Sequence, residues 1–306
     1  MKKNLLFSLI LLNSFISFSQ VNEDMIMDRF NMNAFNPAYV GVDGKEISFS
    51  SRSKWQGIEG APTTNYIFYS GARKKNLAIG GSVISNKVFI DTRTQYALDA
   101  SYQLQMGDDK NLYLGTKIGA TTTNSDINDL NRITSEVNPF ISNSNNSIFP
   151  VFGVGAVYKT KYYYLSASIP NILNPENFVD EDSSISSEKP ITYLMAGTFF
   201  YSSIFDADIK PFVSTKLNPN TDTVTHFGGT LDFNNTLELG AGYKTNGFSN
   251  VLLIYKTKFG LSLAYAYDFG AVNVPSAINK SGSEIFIKYN FGKNSASKKN
   301  PNSDTE

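Results

Sequence analysis

The sequence predicts an all-β protein, a transmembrane antiparallel β-barrel of about 14 strands with an N-terminal signal peptide. Three observations predict it. Apolar and polar residues alternate with a period of two over segments of about ten residues, the length a tilted strand needs to cross a bilayer. The chain opens on a secretory leader, and its turns sort into a short end and a long end.

The alternation is plainest between Thr236 and Phe291. Leu237, Leu239, Ala241 and Tyr243 interleave with Glu238, Gly240, Gly242 and Lys244. Leu261, Leu263, Tyr265, Tyr267 and Phe269 interleave with Ser262, Ala264, Ala266 and Asp268, and Ile285, Ile287, Tyr289 and Phe291 with Glu284, Phe286, Lys288 and Asn290. Successive residues of a strand point to opposite faces, so the aromatics share one face and the charges the other. A lipid-facing outside and a wet interior call for that division.

Met1 to Ser19 reads as the signal peptide: Lys2 and Lys3 form its charged region, Leu5 to Ile16 its apolar run, and Ser17-Phe18-Ser19 its cleavage region before Gln20. The whole chain has 27 basic and 27 acidic residues; losing Lys2 and Lys3 leaves 25 against 27, a net charge of −2. Nothing in that balance points to nucleic acid. Cysteine is absent, which removes disulfides, lipid anchoring through sulfur and cysteine-bound metal. Mean hydropathy is −0.21, low for a helical membrane protein, whereas a closed barrel crosses a membrane without long apolar runs because every backbone group pairs between strands.

Residues 20–44 are not an obvious strand. Met25, Ile26, Met27, Phe30, Met32 and Phe35 form an adaptable apolar set, and Asn36-Pro37-Ala38-Tyr39 reads as a turn, with Asn36, Pro37 and Tyr39 as candidate cap or turn residues. A cap over the barrel mouth, a plug in the lumen and a docking segment for a periplasmic partner all fit.

Residues 45–291 hold the barrel. Its strand candidates are Glu46–Lys54, Asn65–Ala72, Leu77–Ser85, Thr94–Met106, Asn111–Thr122, Pro150–Lys159, Tyr162–Ile169, Ile191–Ser202, Asp208–Leu217, Thr223–Phe233, Leu237–Thr245, Phe248–Tyr255, Gly260–Phe269 and Ser283–Phe291. With the first strand running outward, the brief turns at Arg73–Asn76, Gly107–Lys110, Thr160–Lys161, Ser203–Ala207, Asn234–Thr236 and Lys256–Phe259 are periplasmic. The outer side then carries the long loops Thr123–Phe149, Pro170–Pro190 and Gly270–Gly282, with Asn218–Asp222 and Asn246–Gly247 as short exceptions. Residues 292–306, rich in Lys, Ser and Asn, are expected to be a disordered periplasmic tail.

No catalytic, cofactor or metal site is expected. His226 is the one histidine and falls within a strand, where a packing or lumen-lining role is expected. Ser51-Arg52-Ser53-Lys54 has the spacing of a Ser-x-x-Lys pair without the accompanying motifs. Asn124, Asp126, Asn128 and Asp129 are similar to a calcium loop, but Asp129 replaces the required glycine and Ser135 the final glutamate. On the outer loop Trp55 to Thr64, the single tryptophan is read as an interfacial anchor; the functional alternative makes Trp55, Gln56, Ile58 and Pro62 a candidate partner-docking surface.

Asn36-Pro37-Ala38-Tyr39-Val40-Gly41 followed by Arg52-Ser53-Lys54-Trp55-Gln56-Gly57-Ile58-Glu59-Gly60-Ala61-Pro62 resembles the PorP/SprF family. Ser82-Val83-Ile84-Ser85-Asn86-Lys87, Tyr163 to Leu173, Leu239 to Asn246 and Tyr265-Ala266-Tyr267-Asp268-Phe269 look like the same family in a consistent order. Val40 departs from the small residue expected after that turn. The resemblance implies a non-enzymatic outer-membrane barrel of the type IX secretion system of Gram-negative bacteria. It also implies export or surface attachment of adhesin-like cargo with C-terminal sorting domains, and in some bacteria gliding motility. Partners implied are outer-membrane lipid, the secretion machinery and the secreted adhesins. A passive channel or hydrophobic-solute transporter is the alternative, and an outer-membrane hydrolase dependent on His226 the third reading.

Overall fold

The computed structural model describes residues 25–55, 58–125, 147–173, 190–219, 222–270 and 281–292. The leader, the tail beyond Gly292 and most of the calcium-like loop lie outside them.

The strands are β1 (Glu46–Ser53), β2 (Thr63–Ser70), β3 (Leu77–Val88), β4 (Asp91–Gly107), β5 (Lys110–Ser125), β6 (Ser147–Lys159), β7 (Tyr163–Ile169), β8 (Thr192–Thr198), β9 (Phe200–Ser202), β10 (Ala207–Leu217), β11 (Val224–Phe233), β12 (Leu237–Lys244), β13 (Ser249–Lys256), β14 (Leu261–Phe269) and β15 (Gly282–Asn290). Each pairs antiparallel with its neighbours, and β1 pairs with β15, so the sheet closes on itself. β8 and β9 both pair with β10 and are one strand interrupted at Phe199, which makes a closed 14-stranded antiparallel barrel.

Sequence and structure differ at the outer ends. β3, β4 and β5 run past the predicted limits, and β3 turns into β4 through Phe89 and Ile90 alone. Phe89 takes a left-handed φ of 56°, the geometry a two-residue hairpin turn needs and a bulky side chain ordinarily avoids. Periodicity marks the membrane-crossing part of a strand, whereas these polar extensions, such as Asn86-Lys87, carry no apolar face to read.

The wall has the division of faces that the alternation demands. On β4, Tyr96, Leu98 and Tyr102 are 52%, 64% and 46% exposed, while Asp99 and Ser101 between them are buried. Across the strands Leu98 pairs with Ile118 and Ile118 with Phe152, a continuous apolar belt on the outside. Buried charges face inward: Asp99 lies beside Lys117 at 3.5 Å, and Arg52 meets Asp268 at 2.5 Å. A soluble fold would place these two sets the other way round.

The bore also holds apolar groups, beside the polar ones on the same strands. β13 points Leu252 and Ile254 inward while Val251, Leu253 and Tyr255 face out, and Phe286 of β15 and Tyr66 and Phe68 of β2 are also buried inside. Residues 25–44 explain them. This segment lies inside the barrel as a coil, a four-residue helix α1 (Met32–Phe35) and a 3-10 turn (Pro37–Tyr39). Ile26 and Met27 pack on Leu252, Ile254, Ala264, Ala266 and Phe286; Met25, Ala34, Phe35 and Val40 pack on Tyr66, Phe68, Ala78 and Ile84; Ala38 and Tyr39 pack on Tyr113 and Val157. Three sides of the wall therefore hold the segment by apolar contact.

Candidate functional site: a segment held inside the bore

The segment enters the wall from within. Gly44 precedes β1 at the short-turn end, where Asp43 approaches Lys159 at 3.1 Å and its carbonyl accepts from Asn290 at 2.8 Å. Running back toward Met25, the chain climbs to the half of the bore nearer the long loops, where the Lys244 ammonium donates to the Met25 carbonyl at 3.1 Å.

The Asn36-Pro37-Ala38-Tyr39 turn is built by its own residues. The Asn36 side chain accepts from Ala38 N–H at 2.9 Å, an Asx-type cap, and Pro37 supplies the φ of the first 3-10 position. The other end of the Asn36 amide donates to Ala156 O at 3.0 Å and Ser166 Oγ at 2.9 Å, tying the turn to β6 and β7. Backbone carbonyls complete the attachment: Phe35 O accepts from Ser168, Ala38 O from Ser101 and Val40 O from Arg73, at 2.7 to 2.8 Å.

Two glycines make room for it. Gly115 of β5 and Gly155 of β6 are paired across the ladder. A Cβ on Gly115 would sit 2.2 Å from Ala38 N, and one on Gly155 2.0 Å from Asn36 Oδ1. The backbone of the turn therefore rests directly on the backbone of the wall, an approach only residues without a side chain permit.

Further along, carboxylates hold the segment. Glu284, fully buried on β15, accepts from Ile26 N–H at 2.6 Å, Met27 N–H at 3.2 Å, Asn31 Nδ2 at 3.0 Å and Ser50 Oγ at 2.8 Å. Arg29 donates to Glu238 at 3.0 Å and Thr230 at 2.8 Å. Asp28 meets His226 Nδ1 at 3.0 Å and also accepts from Ser214. Burial alone would raise the Asp28 carboxyl; facing His226 and Lys244 offsets this and leaves it below the ordinary carboxylate range. His226 Nε2 lies 3.1 Å from Asn250 and its ring meets Phe212 edge-on. Both ring nitrogens are thus occupied in anchoring, as befits a lumen-lining histidine.

The segment divides the bore into two vestibules. The outer, about 220 Å³, is lined by Met25, Phe35, Tyr193, Lys216 and His226; the inner, about 280 Å³, by Arg29, Tyr39, Tyr164, Lys210 and Lys256. Met32 touches both.

Among the residues singled out in the sequence, Asn36, Pro37 and Tyr39 fall together in this attachment. Trp55, Ile58 and Pro62 fall together elsewhere, in the outer loop between β1 and β2; Gln56 lies outside the described residues. That loop is closed by Lys54 N–H to Pro62 O at 2.9 Å and joined to the neighbouring hairpin by Phe89 N–H to Gly60 O at 2.9 Å. Trp55 is half-buried with φ 51°, and Ile58 is exposed. Ser51 donates to Asn65 on the outside of the wall while Lys54 lines the outer vestibule, so the Ser-x-x-Lys spacing does not bring the two together. No cluster able to hold a metal ion occurs among the described residues. Glu284, Asp28, Arg29 and the Gly115 and Gly155 pair escaped sequence reading. Glu284 is legible as bore-facing, but its partners lie more than 230 residues away.

A closed barrel with an apolar belt, a charged bore and its own N-terminal segment inside defines the class: an outer-membrane β-barrel protein. The profile described as "Type IX secretion system membrane protein PorP/SprF" matches residues 26–289, and the chain belongs to that family. The match begins at Ile26, within the lumenal segment. Solved structures similar to it include the P. putida toluene transporter TodX, 13% identical over 85% of this chain and 93% of that one with a TM-score of 0.46. Another is the Acinetobacter baumannii outer membrane protein Omp33, 9% identical over 81% and 98% with a TM-score of 0.47. No curated protein matches the chain.

Proposed function

We propose that the protein is a non-enzymatic part of type IX secretion that supports export or surface attachment of adhesin-like cargo and, through such cargo, gliding motility. Membership of the PorP/SprF family carries this reading. The bore supports it, since a wall contacted on three sides by an internal segment suits an anchoring or gated component better than a freely open channel. Cargo with C-terminal sorting domains and outer-membrane lipid are the partners this reading assigns, beside the secretion machinery.

Deleting the gene and measuring surface adhesin beside solute uptake tests it. Adhesin is expected to disappear from the surface while uptake is unchanged; lost uptake with normal adhesin display would instead establish the channel reading.

The outer loop is the proposed cargo-facing surface, with Trp55, Gln56, Ile58 and Pro62 as its contacts. Trp55→Ala is expected to reduce adhesin display several-fold while the barrel still inserts and shows heat-modifiable migration. Display at the wild-type level in a well-inserted variant would return Trp55 to the role of interfacial anchor.

A further inference from the structure

The two vestibules lie in series along one side of the bore, and both touch β7, β10 and β12. Ser166 of β7 lines the outer one and Tyr164, two places earlier on the same strand, the inner one. On the segment Asp28 lines the outer and its neighbour Arg29 the inner. The partition between them is therefore thin. Among the described residues only Met32 lines both cavities. The outer vestibule reaches Asn218, Asp222 and Asn246 in outer turns, and the inner reaches Asn235 in a short turn at the opposite end. Their volumes of about 220 and 280 Å³ hold several waters each, since a liquid water occupies roughly 30 Å³.

Most of the partition is fastened. Asp28 is held by His226 and Ser214, and Arg29 donates to Thr230 and Glu238. Asn31 donates to Glu284 at 3.0 Å, and Phe35 O accepts from Ser168 at 2.8 Å. Met32 stands between these anchors. Its side chain is partly exposed and packs on the cluster of Ala38, Tyr39, Tyr113 and Val157. An unbranched thioether with three rotatable bonds adopts other rotamers at small cost, so it can turn aside while the backbone stays pinned on both sides.

We propose that the protein conducts small hydrated ions through the two vestibules with its internal segment in place, and that the Met32 side chain is the gate. With Met32 as it stands the path is shut. When it swings away, the vestibules join into one wet route from the outer turns to the periplasmic ones. This route is distinct from the opening caused by expelling the segment, and its failure would leave the cargo role standing.

The test uses the mature full chain in planar bilayers bathed in potassium chloride. Met32→Ala is expected to raise the open fraction about tenfold over the wild type, the shift that loss of a partly buried methionine's apolar contact produces. Met32→Phe is expected to stay as closed as the wild type. The chain has no cysteine, so Met32→Cys provides a unique thiol at the gate. Its current is expected to fall when a charged, water-soluble methanethiosulfonate is added to either chamber. Ala38 is fully buried against the wall, so the thiol of Met32→Ala/Ala38→Cys is expected to stay unlabelled, which shows that the segment keeps its seat. Heat-modifiable migration checks that each variant is folded. An open fraction in Met32→Ala no higher than in the wild type overturns the proposal, as does current through Met32→Cys that modification leaves unchanged. Labelling of Ala38→Cys in the Met32→Ala background also overturns it, because the current would then follow from a displaced segment.

Discussion

Alanine at both Gly115 and Gly155 is expected to dislodge residues 25–40 from the bore while leaving the barrel folded. Each new methyl would stand 2.0 to 2.5 Å from atoms of Asn36, Pro37 or Ala38, well inside van der Waals contact. The wall cannot give, because both positions lie in continuous ladders, β4 to β5 to β6 to β7. The turn must therefore move. Overpacking of this kind costs about 1–3 kcal/mol at each site, and the Asn36 bonds to Ala156 and Ser166 and the Ser101 bond to Ala38 O are lost with it. Single-channel recording in planar bilayers checks the outcome. The wild type is expected to be closed for most of the record and the double variant to open frequently; equal conductance of the two would show that the turn does not rest on those glycines.

Ile118→Arg carries the largest expected cost to the fold itself. Ile118 is 65% exposed at the middle of β5, flanked across the strands by Leu98 and Phe152. A guanidinium there faces hydrocarbon, and an arginine on the lipid face near the bilayer midplane costs about 2–4 kcal/mol. Refolding into lipid vesicles, monitored by gel migration against urea, is expected to show the variant less stable by that amount. Lys117, its neighbour in sequence, points into the bore and lies 3.5 Å from Asp99. A cost at Ile118 near zero would mean that this face is wet.

These two sites differ in how far the chain alone discloses them. The position of Ile118 follows from period two, since Leu112, Leu114 and Ile118 share a parity while Tyr113, Gly115 and Lys117 take the other. Parity also puts Glu238, Lys244, Asp268 and Glu284 in the bore. It says nothing about partners. Glu284 is held by Ile26, Met27 and Asn31, contacts created by closure of the barrel around a segment more than 250 positions earlier. The inward Leu252, Ile254 and Phe286 break the simple rule of a polar lumen for the same reason, because they form the seat of Ile26 and Met27. The Asn36 turn was legible as a turn from its Asn-Pro pair, but its seat was not, since Gly115 and Gly155 read as ordinary strand glycines until the register pairs them.

The absence of cysteine makes the outward orientation of the apolar face, on which the membrane barrel depends, directly measurable. Single cysteines introduced one at a time from Tyr96 to Leu104 and spin-labelled in lipid vesicles report contact with oxygen dissolved in the membrane and with a water-soluble nickel complex. Alternation with a period of two is expected: high oxygen accessibility at positions 96, 98, 100, 102 and 104, and low at 97, 99, 101 and 103. Uniform accessibility along the strand, or oxygen contact at Asp99 and Ser101 in place of Leu98 and Tyr102, would contradict it.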